Sequence, residues 1–295
     1  MTAMREGILV RGIGSFYTAL APDGSRYELH CKKKFRRQGL TPMVGDRVRF
    51  TPGTGEEEGW VEEILPRASA FVRPPVANVE TMLIVLCPEP APDFLLAERL
   101  LVECRRQGIR SLLVAAKCDQ GTDLADRLRE EYAGAEAEVL PVCALTGEGL
   151  DALRERMRGS VCCLAGQSGV GKSTLLGALT GIDLETGEIS RKIARGKNTT
   201  RRAELLVAGD LRVFDTAGFS LLALSGRMEP ESLRLYYPEF APYEGTCRFE
   251  PCLHDREPGC AVTAAVREGT VPAARQARYR QLLAEVRETW EARYD

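Results

Sequence analysis

Short strand-like runs, separated by Gly, Pro and Asp, make up the first part of the chain, up to about residue 68. Polar and apolar residues alternate at 26–30 and 47–50, a pattern that is typical of β-strands with one buried face. Five such strands are typical of a small barrel. We expect an OB-fold, whose barrel binds oligonucleotides on one face and on its loops. The predicted strands cover residues 7–10, 15–20, 26–30, 46–50 and 60–64.

The periodicity changes after Pro66. Continuous apolar runs at 81–86 and 111–115 predict buried strands, and apolar residues at 93–104 have helical spacing. Strands that alternate with helices indicate a parallel sheet covered on both faces. The sequence therefore predicts a multi-domain α/β protein in which a barrel precedes a parallel sheet.

A complete phosphate-binding pattern, G-x-x-x-x-G-K-[ST], lies between an apolar run at 161–165 and a predicted helix at 174–179. Backbone N–H groups of such a loop point at phosphate oxygens, and the helix adds the positive end of its dipole. Lys172 then reaches the β- and γ-phosphates, and Ser173 offers its hydroxyl to a bridging Mg²⁺ ion. A chance glycine-rich turn is the alternative. The predicted nucleotide-binding residues here are Gly166, Gln167, Ser168, Gly169, Val170, Gly171, Lys172, Ser173 and Thr174.

Two segments beyond this loop have the residues of a γ-phosphate sensor. A strand at 211–214 leads into a D-x-x-G sequence, in which Asp215 holds Mg²⁺ through water and the Gly218 N–H bonds the γ-phosphate. An ordinary turn after a strand is the alternative. The polar stretch 190–202 lacks periodicity, and its Thr199 or Thr200 is a further predicted Mg²⁺ ligand. Loss of the γ-phosphate would release both segments.

Guanine is the base that the sequence predicts. The strand at 111–115 ends in Ala116, Lys117, Cys118 and Asp119, which resembles the N-K-x-D sequence of GTPases with its first residue replaced. Asp119 can accept hydrogen bonds from the N1–H and the exocyclic amine of guanine, a donor pair that adenine lacks. Since the Asn side chain normally contacts the base and the phosphate loop, we expect lower nucleotide affinity. Two further residues, Cys143 and Ala144, resemble the S-A segment whose backbone contacts the base.

A compact group of soft ligands lies near the C-terminus: Cys247, Cys252, His254 and Cys260, in the pattern C-x-x-x-x-C-x-H-x-x-x-x-x-C. Three thiolates and one imidazole satisfy a tetrahedral Zn²⁺ site. Such a site is structural because no coordination position remains for water. Unliganded core thiols are the alternative.

Five cations surround one aromatic residue after the third predicted strand. Such a run can follow a phosphate backbone, with Phe35 available to stack on a base. A solvated loop is the alternative. The predicted RNA-binding residues are Lys32, Lys33, Lys34, Phe35, Arg36 and Arg37.

Composition narrows the possible partners. The 295 residues exceed one average domain, and 40 basic against 42 acidic side chains give a net charge of −2. Nucleic-acid binding must therefore come from local patches. The sequence begins without a secretory signal and contains no apolar run long enough to cross a bilayer. We expect a cytoplasmic protein without a membrane partner, where clustered cysteines typically hold metal.

The order of the motifs is unusual, because the base-reading sequence at 116–119 precedes the phosphate loop. The same site assembles in a circularly permuted chain, since domain termini usually lie at the surface and often close together. Over nearly its whole length the chain resembles the circularly permuted, ribosome small-subunit-dependent GTPase A family. The resemblance implies an RNA-binding OB-fold at 1–68, a circularly permuted P-loop GTPase domain at 69–224 and a helical zinc-binding domain at 225–295.

The resemblance also implies an activity. It is GTP hydrolysis to GDP, slow in the isolated monomer and stimulated by the small ribosomal subunit and its rRNA, during late subunit assembly or release of assembly factors. In this family a histidine usually precedes the switch threonines, whereas this chain has Asn198, which can hydrogen-bond a water but cannot accept its proton at neutral pH. The predicted catalytic residues are Lys172, Ser173, Asn198, Asp215 and Gly218. Two other classes remain open: an ATP-using P-loop enzyme, including a kinase, and a non-enzymatic RNA-binding adaptor.

Overall fold

A computed structural model describes residues 3–37, 39–53, 58–183, 203–216 and 228–292. The strands are, in chain order, β1 (Arg5–Ile13), β2 (Phe16–Leu20), β3 (Arg26–Cys31), β4 (Arg47–Thr51), β5 (Gly59–Ile64), β6 (Ala70–Val72), β7 (Pro75–Ala77), β8 (Thr81–Leu86), β9 (Arg110–Ala116), β10 (Glu138–Val142), β11 (Val161–Ala165), β12 (Ala203–Ala208) and β13 (Leu211–Thr216). The helices are α1 (Lys33–Arg37), α2 (Phe94–Arg106), α3 (Asp123–Glu131), α4 (Leu150–Met157), α5 (Lys172–Thr180), α6 (Ala261–Arg267) and α7 (Ala273–Glu291), with 3₁₀ segments at Cys118–Gln120, Pro230–Tyr236 and Pro238–Tyr243. None of the helices in these ranges has the length and apolarity that crossing a bilayer requires.

The chain divides into two compact units. The first comprises Met1–Thr81, Arg154–Leu164 and Leu176–Phe219, and the second comprises Met82–Leu153, Ala165–Leu175 and Ser220–Asp295.

The first unit contains the five-stranded barrel that the sequence predicted. β1 pairs antiparallel with both β2 and β4, β2 pairs with β3, and β3 runs parallel to β5, which pairs with β4. This closed order leaves no free sheet edge in the barrel. Inward residues such as Leu9, Leu29, Val48 and Val61 fill its interior. Each predicted strand overlaps an observed one.

Five further described strands of this unit lie outside the barrel, and two of them, β6 and β7, pair antiparallel with each other. β12 contacts β1 where Glu204 stands opposite Arg11, and it pairs antiparallel with β13. β13 in turn runs parallel to β11. Asp215, a predicted Mg²⁺ ligand, stands on β13 opposite Glu204.

The second unit contains the predicted alternation of strands and helices. β9 and β10 are parallel, and β8 lies next to β9. All six residues of β8 are buried, which explains its continuous apolar sequence, because a parallel strand is covered on both faces. α2 begins after Asp93, whose carboxylate accepts a hydrogen bond of 2.9 Å from the Leu96 N–H. The loops that follow β9 and β10 lie at the same edge of the sheet.

The C-terminal elements belong to this second unit and have their own core. Leu233, Tyr237, Phe240 and Tyr279 are fully buried there, together with Val102 of α2. Packing against α2 therefore stabilises the C-terminal elements.

A buried ionic network joins the same helices. Glu98 of α2 is 0% exposed and accepts a hydrogen bond of 2.7 Å from Arg278 Nε and one of 3.2 Å from the Tyr237 hydroxyl. Arg275 is the second cation that donates to Glu98, and it also donates to Glu239. The network ties α2 to α7.

Candidate functional site

The phosphate-loop glycines have the backbone conformation that the pattern requires. Gly166, Gly169 and Gly171 have φ angles of 146°, 84° and 93°, a region that side chains disfavour. A Cβ on Gly166 would lie 2.3 Å from the Val85 carbonyl oxygen, so only glycine fits there. Helix α5 begins directly after the loop. Strand, loop and helix N-terminus therefore follow one another as in a phosphate cradle.

Lys172 is held inside this loop. Its Nζ donates hydrogen bonds of 2.7 Å and 2.6 Å to the carbonyl oxygens of Gly166 and Gln167. Burial lowers the pKa of Lys172 from its ordinary value. Desolvation of this kind makes a bound anion favourable, because a nearby negative charge stabilises the ammonium form. Ser173 and Thr174, in the first turn of α5, are exposed and available to a ligand.

Gln167 attaches the phosphate loop to the start of α2. Its amide nitrogen donates to the Ala91 carbonyl at 2.9 Å, and its amide oxygen accepts from the Asp93 N–H at 2.6 Å. Sequence analysis did not find this tether, because the phosphate-binding pattern accepts any residue at that position.

Lys117 connects the loop that is predicted to read the base, residues 116–119, to the phosphate loop. The residue has φ 59° and ψ 43°, which is uncommon outside glycine, and this conformation starts the 3₁₀ segment Cys118–Gln120. Its Nζ donates to the carbonyl oxygens of Glu89 at 2.6 Å and Gly169 at 3.2 Å. The two loops are thus joined although Ala116 stands where GTPases have asparagine.

Asp119 is exposed at this edge, with its carboxylate free of any hydrogen bond or ion pair to the described residues. The neighbouring Cys118 is half-buried, and burial raises the pKa of its thiol to about 11. The carboxylate is therefore available as a hydrogen-bond acceptor, while the thiol stays neutral at physiological pH.

The segment after β10 forms a tight turn beside this loop. The Cys143 N–H donates to the Glu148 carbonyl at 2.9 Å, and its sulfur accepts from the Thr146 N–H at 3.4 Å. Cys143 is buried, whereas Ala144 is partly exposed. The turn depends on Gly149, where φ is 73° and a Cβ would lie 2.2 Å from the Pro141 carbonyl oxygen.

Several predicted residues lie outside the described ranges: Asn198, Thr199, Thr200 and Gly218. Asp215 is described and half-buried at the end of β13. The roles of all five residues stay predictions.

The predicted metal ligands come together in the second unit. One ligand atom from each of Cys247, Cys252, His254 and Cys260 lies within 4.8 Å of the other three, and only Cys247 is partly exposed. His254 Nδ1 is 3.6 Å from Cys247 Sγ and 3.5 Å from Cys260 Sγ. Burial raises the pKa of the Cys252 thiol, so a thiolate there needs a cation beside it. The four donors can therefore hold a metal ion.

A carboxylate that sequence analysis missed orients the imidazole of this cluster. Glu244 Oε1 lies 3.0 Å from His254 Nε2, and the same carboxylate is 3.4 Å from Arg234 Nε. This contact leaves Nδ1 as the nitrogen that faces the thiols. No motif marks Glu244, because its role depends on the fold around His254.

The basic run after β3 differs in part from the prediction. Phe35, predicted to stack on a base, is only 4% exposed and packs in the barrel core, so the prediction for its ring is wrong. The run forms the short helix α1, which turns this side chain inwards. Lys34 donates to the Glu62 carbonyl at 2.7 Å, and Lys32 pairs with the Glu62 carboxylate. Arg37 is exposed, and the side chains of Lys33 and Arg36 lie outside the description.

Two family models match this chain. Residues 64–225 match the family model described as RsgA GTPase, and residues 6–61 match the RsgA N-terminal domain. A Ruminiclostridium cellulolyticum protein named small ribosomal subunit biogenesis GTPase RsgA is 40% identical over 95% of this chain and 93% of that protein. A protein of the same name from Geobacillus thermodenitrificans is 42% identical over 97% of this chain and 98% of that protein.

Solved structures confirm the predicted fold class. The crystal structure of YjeQ from Thermotoga maritima has a TM-score of 0.82 and 32% identity, covering 96% of this chain and 99% of that one. The structure of YloQ, described as a circularly permuted GTPase, has a TM-score of 0.79 and 26% identity, covering 97% of this chain and 96% of that one.

Proposed function

The chain belongs to the RsgA GTPase family, and we propose that it hydrolyses GTP on the small ribosomal subunit, late in assembly or when assembly factors leave. The observation that supports a single nucleotide site is the junction at Lys117. Its ammonium group holds the Asp119 loop against the phosphate loop through Gly169. One ligand with a guanine base and phosphates can therefore reach both loops.

The residues of the second unit have distinct roles in this proposal. The Asp119 carboxylate accepts the two guanine donors, and the Lys117 stem covers the ring. N–H groups of the phosphate loop receive the phosphate oxygens, and Lys172 leaves its carbonyl partners to contact the β- and γ-phosphates. The Cys143–Ala144 turn limits the base pocket from the other side.

Magnesium supplies charge neutralisation at the phosphates when bound. The exposed Ser173 hydroxyl in the first turn of α5 suits an oxygen-seeking ion, and Asp215 with Thr199 or Thr200 are the other candidate ligands. Gly218 bonds the γ-phosphate, and Asn198 positions water. Since an amide does not accept a proton at neutral pH, intrinsic turnover is low, and contact with the small subunit raises it.

Zinc is the proposed ion of the C-terminal cluster. Bond lengths of about 2.0 Å to nitrogen and 2.3 Å to sulfur at a tetrahedral angle separate the donors by about 3.5 Å. The two distances from His254 Nδ1 to sulfur, 3.6 Å and 3.5 Å, agree with that value. The ion has a structural role, holding the segment from Cys247 to Cys260 on its helices. We further propose that the chain acts as a cytoplasmic monomer that contacts ribosomal RNA through its barrel.

The test is nucleotide turnover by the zinc-loaded protein, measured with GTP, ATP and xanthosine triphosphate, with and without small subunits at a fixed salt concentration. We expect hydrolysis of GTP but not of ATP, and a higher rate with subunits. Asp119→Asn replaces one acceptor by a donor, so preference should move from GTP to xanthosine triphosphate, whose base presents a carbonyl at that position. Asp126→Asn, an exposed carboxylate on α3, is the matched control.

Equal turnover of ATP and GTP would instead indicate a P-loop enzyme without base selection. Absence of any hydrolysis with subunits present would leave an RNA-binding adaptor. An Asp119→Asn variant that keeps its preference for GTP would remove Asp119 from the base site.

A further inference from the structure

Three aromatic rings lie side by side on adjacent strands of the barrel. Phe16 begins β2 and stands opposite His30 of β3, and His30 stands opposite Trp60 of β5. The sequence neighbours Tyr17 and Leu29 point into the barrel core. Because side chains alternate along a strand, the three rings face outwards.

These rings form one contiguous surface. The centroids of Phe16 and His30 are 4.5 Å apart, and those of His30 and Trp60 are 5.3 Å apart. Glu58 holds the His30 ring, with 3.3 Å between its carboxylate oxygen and Nε2. Phe16 is 55% exposed, and Ile13, opposite it on β1, is 39% exposed. An apolar row of this kind on a barrel surface is typical of a binding site.

Charges of both signs flank this row: Glu28 is exposed two residues before His30, Glu58 contacts His30, and exposed cations lie on two of the chain segments. Arg11 is exposed two residues before Ile13, and the basic helix α1 begins three residues after His30, with Lys34 and Arg37 exposed. A flat apolar ring beside cations suits unpaired nucleic acid, since a base stacks on the ring while phosphates contact the cations.

We propose that Phe16, supported by His30 and Trp60, is a stacking surface for unpaired RNA bases, and that the exposed cations of Arg11 and α1 contact the flanking phosphates. The surface takes the role that sequence analysis assigned to Phe35. It deepens the proposed function and rests on it for the source of the RNA. Phe16 has the most accessible ring of the three, so it receives the base, while its neighbours fix its position.

The experiment measures binding of the full, zinc-loaded chain to labelled oligouridine of about 12 nucleotides, within the range that one OB-fold covers. Phe16→Ala should weaken binding roughly tenfold or more, the usual effect of losing one stacked base. The slope of log affinity against log salt should stay unchanged, because no phosphate contact is lost. Phe16→Leu should lose as much, and Phe16→Tyr should retain affinity.

Two controls separate stacking from other effects. Phe249→Ala removes a ring of similar exposure, 51%, outside the barrel and should bind oligouridine like the parent chain. An abasic ribose-phosphate strand of the same length should bind the parent chain and Phe16→Ala equally, since it offers no base. Basal GTP turnover should be unchanged in Phe16→Ala.

The proposal is overturned if Phe16→Ala binds oligouridine like the parent chain or if Phe16→Leu keeps full affinity. It is also overturned if Phe16→Ala loses as much affinity for the abasic strand as for oligouridine. Stimulation of GTP turnover by small subunits is measured in parallel. If the parent chain is not stimulated, the proposed function fails, whereas a stimulated chain with unchanged oligouridine binding in Phe16→Ala refutes the stacking surface alone.

Discussion

Replacing Arg275 by methionine tests the buried network that joins α2 to the C-terminal elements. Arg275 is 2% exposed, and its guanidinium donates to Glu98 and Glu239 while lying 4.5 Å from the centroid of the Tyr237 ring. Burial alone would disfavour its charge, but the two carboxylates more than compensate and raise the pKa of Arg275 above its ordinary range. The side chain is therefore a fixed cation in the interior.

The size of the expected loss in unfolding free energy follows from the charges that remain buried in the variant. Glu98 is 0% and the Glu239 side chain 5% exposed, so in Arg275→Met Glu98 keeps Arg278 as its cation, whereas Glu239 loses its cation. Breaking a buried ion pair by removing one partner costs about 3–5 kcal/mol. We expect the free energy of unfolding to fall by an amount in that range, because methionine fills most of the volume of the arginine side chain and the cost is mainly electrostatic. Adding Glu239→Gln removes one uncompensated charge and should recover about 1–3 kcal/mol of it.

Urea unfolding of the zinc-loaded chain provides the measurement. The chain has 2 tryptophans, so a Trp60→Phe background leaves Trp290 of α7 as the fluorescent reporter of the second unit. Arg129→Met is the matched control, since its ion pair with Asp126 is exposed and should contribute about 0–1 kcal/mol. A loss below about 1 kcal/mol for Arg275→Met, or no recovery in the double variant, would show that the network does not stabilise the unit as argued.

Three further outcomes are expected. Glu244→Ala should weaken metal affinity by about 10–100-fold in chelator competition, while Glu244→Gln should keep most of the affinity. Equal losses of affinity in the two variants would contradict orientation of the imidazole by a hydrogen bond. The alkylation rate of Cys118, measured by peptide mass spectrometry, should rise about tenfold per pH unit until pH approaches 11. The reason is that burial raises the pKa of this thiol to about 11 and only the thiolate reacts. A plateau of the rate near pH 9 would disagree. Gly149→Ala should destabilise the second unit by about 1–3 kcal/mol more than Gly147→Ala in thermal unfolding. Both glycines have positive φ, but only a Cβ on Gly149 would meet the Pro141 carbonyl. Equal losses of stability in the two variants would argue against the steric cause.

Local patterns predicted the barrel and the sheet correctly. Alternation along β2 and β3 reflects one buried face of a closed barrel, and the continuous apolar residues of β8 reflect burial on both faces. These signals need only neighbouring residues, so they can be read without knowing which strands pair.

The wrong prediction for Phe35 has a physical cause. In a run rich in Lys and Arg, charge obscures the single apolar position that a short helix turns inwards. Burial of the ring beside Val48 and Val61 depends on strands that follow it in the chain. The exposed ring of β2 is Phe16, and nothing in its own sequence neighbourhood distinguishes it from a core residue of that strand.

The sequence by itself determined the groups whose chemistry depends on short spacing. These are the phosphate loop from Gly166 to Ser173 and the metal cluster from Cys247 to Cys260, where a few residues of chain set the distances between functional atoms. The order of the motifs likewise needed only the sequence to indicate a circularly permuted GTPase.

Only the tertiary structure decided which distant groups meet. Lys117 contacts Gly169 across 52 residues, and Glu98 contacts Arg275 across 177. The aromatic surface on the barrel requires the register of three strands, since a shift by one residue would turn each ring into the core. Such contacts follow from packing of whole elements, where burial and pairing of many residues fix the position of each one, and no local spacing encodes them.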